Sequence, residues 1–272
     1  MLPAPDPFDT PFFNAHTERK VIEIADHRGR RRAYTFPTFF AHTPAVMMLF
    51  TADARRARDL LGGVALEPVR VGRTRCLFAV AAYRYGQISD GMTGYNELAL
   101  GLPVSTSRVP IAPALLRKRW PAFGVHVLDL PVDSEENCRR GVTIWGLPKT
   151  MKRFHYQDAP ASGTAHRRTI EVRDGDTLCL RLAWTRGGRR GVVSELNRAY
   201  SVKDGKLQRS RAFIDGACWQ FTRLSPLARE VTLELGSGRP YADVAALDLD
   251  PKPLLVRDFD SLSTVLYGPE PA

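Results

Sequence analysis

Lysine is scarce in this chain, seven of its 39 basic residues. One of the seven, Lys149, lies in GVTIWGLPKTMK (141–152), directly after a Gly-Leu-Pro turn and close behind a tryptophan. A neutral amine in apolar company attacks carbonyl carbons and forms an imine. An ordinary lysine is neutral in roughly one molecule in two thousand at pH 7, so this chemistry needs its pKa lowered by about three units, or about 4 kcal/mol. Trp145, Leu147 and Met151 are the desolvating neighbours, with Lys152 and Arg153 as nearby cations. Taken alone, a lysine after a proline turn reads as a solvated surface charge.

The elements that would position Lys149 follow from its surroundings. DSEEN (133–137) offers a helix start, with Asp133 and Glu136 at capping-box spacing, and the pattern continues toward Gly146. Cys138, Val142 and Trp145 follow the i, i+4, i+7 rule and are expected to face the core together. Gly146 and Pro148 then stop the helix. A second helix is expected in TADARRARDLLGG, capped by Thr51 or Asp53, with Ala54, Ala57, Leu60 and Leu61 as its apolar face. Elsewhere KVIEIAD, AVMMLFT, RCLFAVAAYRY, YNELALGLPV, VHVLDLPV, TIEVRDG, TLCLRLAWT and VTLELGS are strand-like runs bounded by turn residues. Helices do not alternate with them regularly, so the pattern is a mainly antiparallel α+β domain rather than a parallel α/β fold. One domain over residues 1–272 is expected, with loose Pro-rich ends at 3–11 and 268–272.

Composition excludes several classes. With 44% hydrophobic and 25% charged residues, neither wholesale disorder nor a fibrous repeat is indicated. The apolar stretches fall short of a bilayer span, and MLPAPDPFDTPFFNA lacks the basic start and apolar core of a secretory signal, so a cytoplasmic protein without membrane contact is expected. A net charge of +10 admits an acidic partner. The charge is gathered in short clusters, at 27–32, 117–119, 166–168 and 186–190, which read as solvated loop tips and not as a nucleic-acid stripe. Cys76, Cys138, Cys179 and Cys218 form no close pair, and the six histidines no metal-ligand spacing, so free thiols and no metal site are expected. His42 and His126 remain pocket-lining candidates, whereas Ser194 lacks the flanking glycines of a nucleophile elbow.

A strand with His126, a helix from about Glu135, a glycine and an aromatic-flanked GLPK follow one another in an order that resembles the acetoacetate decarboxylase family. There a YPKK or GxPK element after a helix carries the Schiff-base lysine. GYNELALGLPVS (94–105) is similar to that family's Tyr-x-Glu strand, and SELNRAY (194–200) is like its later Glu-Leu-x-x-Ala strand. The matches are colinear over most of the chain. The resemblance implies that Lys149 forms the imine and that Glu97 moves protons. It further implies that Tyr95, His126, Trp145, Leu147, Thr150 and Met151 line the substrate site. The implied fold is a curved, cone- or barrel-like antiparallel sheet around an apolar pocket, without cofactor, in a homo-oligomer acting on a keto acid or polyketide-like molecule. Two departures stand out. Thr150 replaces the second lysine whose charge activates the first, and no arginine lies near Thr43, where the family has a substrate-facing one. Decarboxylation of a β-keto acid therefore competes with aldol condensation and dehydration from an α-keto acid, and with a catalytically idle binding protein.

Overall fold

The computed structural model describes residues 6–25, 29–106, 123–160 and 166–272; the start of the 27–32 basic cluster and all of 117–119 lie outside them. In chain order the strands are β1 (Lys20–Ala25), β2 (Arg31–Phe36), β3 (Thr38–Asp53), β4 (Glu67–Pro68), β5 (Arg70–Val71), β6 (Arg75–Tyr85), β7 (Gln87–Ile88), β8 (Tyr95–Ser105) and β9 (Gly124–Val132). They continue as β10 (Lys149–Met151), β11 (Arg153–Pro160), β12 (His166–Asp174), β13 (Thr177–Thr185), β14 (Arg189–Lys203), β15 (Lys206–Thr222), β16 (Thr232–Leu235), β17 (Leu255–Leu266) and β18 (Glu270–Pro271). The helices are short: α1 (Pro11–Asn14), α2 (Ala54–Leu60), α3 (Glu135–Arg140) and α4 (Tyr241–Ala245).

Seven strands close a barrel in the order β9-β14-β15-β17-β3-β6-β8, with β8 pairing back onto β9. All these pairings are antiparallel except β14 with β9. An antiparallel sheet of β11-β12-β13-β16 covers one outer side, and β1 with β2 forms a separate hairpin. The barrel therefore has an outward face, partly packed against the covering sheet, and an inward face.

Alternation along the long strands assigns residues to these faces. Outward-pointing Val46, Met48, Phe50, Phe78, Val80, Leu98 and Leu100 pack with Ile170, Leu180, Leu182 and Trp184 of the covering sheet in the largest core cluster. Inward, the register Glu97↔Tyr83↔Ala45↔Phe259↔Cys218 runs across five strands as one layer.

Local chemistry corrects several sequence expectations. Asp53 caps α2 through the backbone N–H of Arg56 (2.8 Å). At α3 the cap is Ser134, because Asp133 is engaged by the backbone and side-chain N–H groups of Asn96 (2.7 and 2.6 Å). The helix does not run on to Gly146 as a regular α-helix: residues Gly141–Trp145 form a π-turn. The wider turn changes the phase of the side chains. Trp145 is consequently buried and Cys138 half-buried, while Val142, expected in the core, is exposed. The C-terminal Pro-rich end is not loose, since β18 pairs with β15 and Arg211 holds Glu270 (2.7 Å). Near the N-terminus Phe8, Phe12 and Phe13 pack against Phe39 and its neighbours. Two basic clusters are spent on internal ion pairs, Arg168 with Asp258 and Arg186 with Asp260. Cys76, Cys179 and Cys218 are buried free thiols, and among the described residues no helix is long and apolar enough to cross a membrane.

Candidate active site

Lys149 owes its position to a reversal of the chain. The π-turn ends at Gly146, which has φ 64°, and any side chain there would strike the backbone of Val202 and Lys203. Past Pro148 the chain returns as β10, parallel to β9, with Lys149 opposite Leu130. The aliphatic part of Lys149 lies along Gly141, where a β-carbon would collide with Cδ and Cε. Glycine at 141 is thus the clearance that lets the lysine reach the barrel.

There Lys149 Nζ donates to Oε2 of Glu97 at 2.6 Å, and the two side chains are only 6% and 11% exposed. The Tyr95 and Tyr85 hydroxyls also donate to Glu97, to Oε2 and Oε1 respectively, each at 3.3 Å. The ammonium lies 5.2 Å from the centroid of the Tyr95 ring. Burial, and secondarily the charge of Glu97, push the phenols of Tyr85 and Tyr95 far above their ordinary value, so both stay protonated and act as donors. A buried carboxylate satisfied by three donors beside an amine is an arrangement that can pass a proton between them.

The other sequence candidates divide. Trp145 and Leu147 belong to the hydrophobic cluster that contains Tyr85 and Tyr95. Trp145 is fixed by donation from its ring N–H to the carbonyl of Tyr267 (3.2 Å) and by edge contact with Phe36. Thr150 and Met151 are exposed; strand alternation turns residue 150 away from the face that Lys149 uses. His126 lies on the far side of β9, paired with Leu102 and Tyr200, because the irregularity at Leu100/Gly101 shifts the alternation between it and Leu130. Its Nδ1 is buried without a partner, and burial lowers its pKa. It does not join the Lys149–Glu97 pair. His42 is exposed and bonds Ser261 (3.2 Å).

Other residues near the site were not singled out by the sequence. Tyr83 pairs with Glu97 across β6 and β8, and its ring stacks on Tyr85 at 5.3 Å and 5°. The alternation in AAYRY, opposite a strand bearing Glu97, was the available clue for both tyrosines. Arg140 is buried, its guanidinium about equally close to the rings of Tyr34, Phe36 and Trp145 (5.0, 5.0 and 5.2 Å). Thr43 is buried with its hydroxyl unpartnered. On β17, Arg257 pairs with Glu195 (2.9 Å).

A family model described as acetoacetate decarboxylase matches residues 25–254. No curated protein sequence matches the chain. Among solved structures, the enduracididine biosynthesis enzyme MppR, complexed with the condensation product of pyruvate and imidazole 4-carboxaldehyde, is similar with a TM-score of 0.59 at 15% identity, over 86% of this chain and 88% of that one. An acetoacetate decarboxylase-like enzyme from Sphingomonas wittichii RW1 gives 0.56 at 16%, over 87% and 92%. A structure of acetoacetate decarboxylase gives 0.58 at 14%, over 87% and 89%.

Proposed function

Since the chain belongs to the acetoacetate decarboxylase family, we propose that it is a cofactor-free lyase in which Lys149 forms a Schiff base with a keto acid, with decarboxylation of a β-keto acid as the reaction. The observation that carries this reading is the enclosed Lys149–Glu97 contact of 2.6 Å. A desolvated lysine needs somewhere to put its proton before it can attack, and the carboxylate that accepts it is already in hydrogen-bond contact. Glu97 then does work that a neighbouring lysine at position 150 cannot do here.

Lys149 passes a proton to Glu97, and its free amine adds to the ketone carbon. One proton of the added nitrogen moves to the oxygen, and Glu97 returns the second as that oxygen leaves as water, giving the protonated imine. That imine takes up the electron pair of the carbon–carboxylate bond, releasing carbon dioxide and leaving an enamine. Protonation of the enamine carbon and addition of water then free the ketone and restore the lysine.

A second reading is aldol-type condensation and dehydration from an α-keto acid. It is supported by the condensation product bound in the similar fold of MppR. Both readings share the imine. Incubation with β-keto and α-keto acids under borohydride, followed by intact-mass measurement, is expected to give a single adduct at Lys149. Carbon dioxide release and pyruvate–aldehyde condensation then separate the two reactions. Failure to trap any keto acid would leave a binding protein of the same fold.

A further inference from the structure

The site has three tyrosines on one wall, and they are not equivalent. Tyr85 and Tyr95 spend their hydroxyls on Glu97. Tyr83 is half-buried, stands directly opposite Glu97 in the β6–β8 register, and has a hydroxyl for which no hydrogen bond exists among the described residues. Its ring bridges two hydrophobic clusters, the one around Tyr85 and Trp145 and the inward one with Ala45, Phe259 and Cys218. Parallel stacking on Tyr85 fixes the ring plane. A donor held rigidly beside the reacting pair, with nothing in the protein to donate to, is arranged for a group on the ligand.

We propose, on the Schiff-base reading above, that Tyr83 is a further catalytic residue, whose hydroxyl donates a hydrogen bond to the substrate oxygen as Lys149 adds to the ketone carbon. At that step the C=O bond becomes a C–O single bond and its electron pair moves onto oxygen. Tyr83 stabilises the oxygen without giving up its proton, while the two protons with which that oxygen leaves as water come from the added nitrogen and from Glu97. Burial, followed by the charge of Glu97, raises the Tyr83 phenol well above its ordinary value, which keeps it a donor across the physiological range. The assignment separates holding from reacting: two phenols orient the carboxylate and the third meets the ligand.

Tyr83→Phe tests this, because it removes one oxygen atom and no protein hydrogen bond. Rapid-quench trapping with cyanoborohydride at varied keto acid concentration reads the maximal rate of adduct formation and the half-saturating concentration separately. The expected result is a fall of about 10²-fold in maximal rate, typical of one lost oxyanion donor, with half-saturation within threefold, an unchanged pH profile and an unchanged thermal midpoint. Tyr85→Phe disturbs Glu97 and is expected to shift the pH profile instead. Tyr83→His, which restores an N–H donor, should recover part of the loss. Trapping by Tyr83→Phe at the wild-type rate, or a loss confined to half-saturation, overturns the proposal while leaving the Schiff-base reading intact. A wild type that forms no adduct with any keto acid overturns both.

Discussion

Val46, Met48 and Phe50 alternate along β3 with Ala45, Met47 and Leu49, and the two sets meet different surroundings. The first set is at most 2% exposed, pressed between the barrel and the covering sheet. Met47 and Leu49 are only half-buried although they too are apolar and sit in the middle of the same strand. The same division holds on β6, where Phe78, Val80 and Ala82 are buried and Ala79, Ala81 and Tyr83 are not fully so. One face of each strand is filled to interior density and supplies cohesion, at about 1.5 to 3 kcal/mol for each large side chain buried. The other, which carries Glu97, holds Met47, Leu49, Ala79, Ala81 and Tyr83 only half-buried. The two faces of these strands are both apolar and differ in how completely they are buried.

Substitutions on the two faces should separate activity from stability. The largest effect is expected from Lys149→Ala, which should abolish reductive trapping by keto acids; an unchanged adduct stoichiometry by mass would assign the chemistry to another amine. Glu97→Gln should keep a trappable site but slow turnover by roughly 10² to 10⁴, the range for a lost general acid or base, and normal turnover in steady-state assays would make it a packing residue. On the outward face Leu98→Ala should cost about 2 to 5 kcal/mol in denaturant unfolding with trapping rates preserved. Met47→Ala on the inward face should cost about 1 kcal/mol or less yet change the relative rates of small and large keto acids. Equal destabilisation by these two would erase the distinction between the faces.

A fourth test concerns Asp129, on the outward side of β9. Burial raises its pKa to about 6, from an ordinary value near 3.8. Its Oδ2 and the nearby Tyr241 hydroxyl are both without a regular partner. With the folded value above the unfolded one, the native state holds the proton more tightly, so this group's contribution to stability is greatest below about pH 4 and is lost as pH rises through 6. Asp129→Asn should therefore gain stability near neutrality relative to wild type, by about 3 kcal/mol at most, and gain little at pH 4; urea unfolding at the two pH values checks this. The smallest effect is expected from Thr150→Lys. Because residue 150 is exposed and turned away from Lys149, a cation there should change acetoacetate decarboxylation less than threefold, and a large gain in carbon dioxide release would show that the strand can rotate it inward.

The strand pattern and the pair Lys149 and Glu97 were legible because they rest on local signals: alternation, a proline turn, and a colinear motif. What was not legible depended on contacts between distant segments. Capping-box spacing at Asp133 was correct in form, but Asn96 from another strand claims that carboxylate. The helical rule placed Val142 inward, and a π-turn, which has no sequence signature of this length, rotated it out. His126 followed the family motif, yet one irregularity in the β8–β9 pairing put it on the opposite face. Arg140 is buried among three aromatic rings, two from β2 and one from the π-turn, that gather around it only in the fold.

The ring of strands also has a consequence for how the chain is made. Lys149 and Glu97 lie in the first two thirds of the sequence, but the wall beside β3 is completed only by β17, which begins at Leu255. During synthesis Lys149 exists before the barrel that encloses it. Strands so far apart in sequence meet slowly, because the intervening loop must be closed before their contacts reward it. Until β17 docks, β3 is an open, strongly apolar edge. The nascent polypeptide thus passes through a stage in which its most apolar strand and the Lys149 side chain are both uncovered, and the last long strand to be translated ends it.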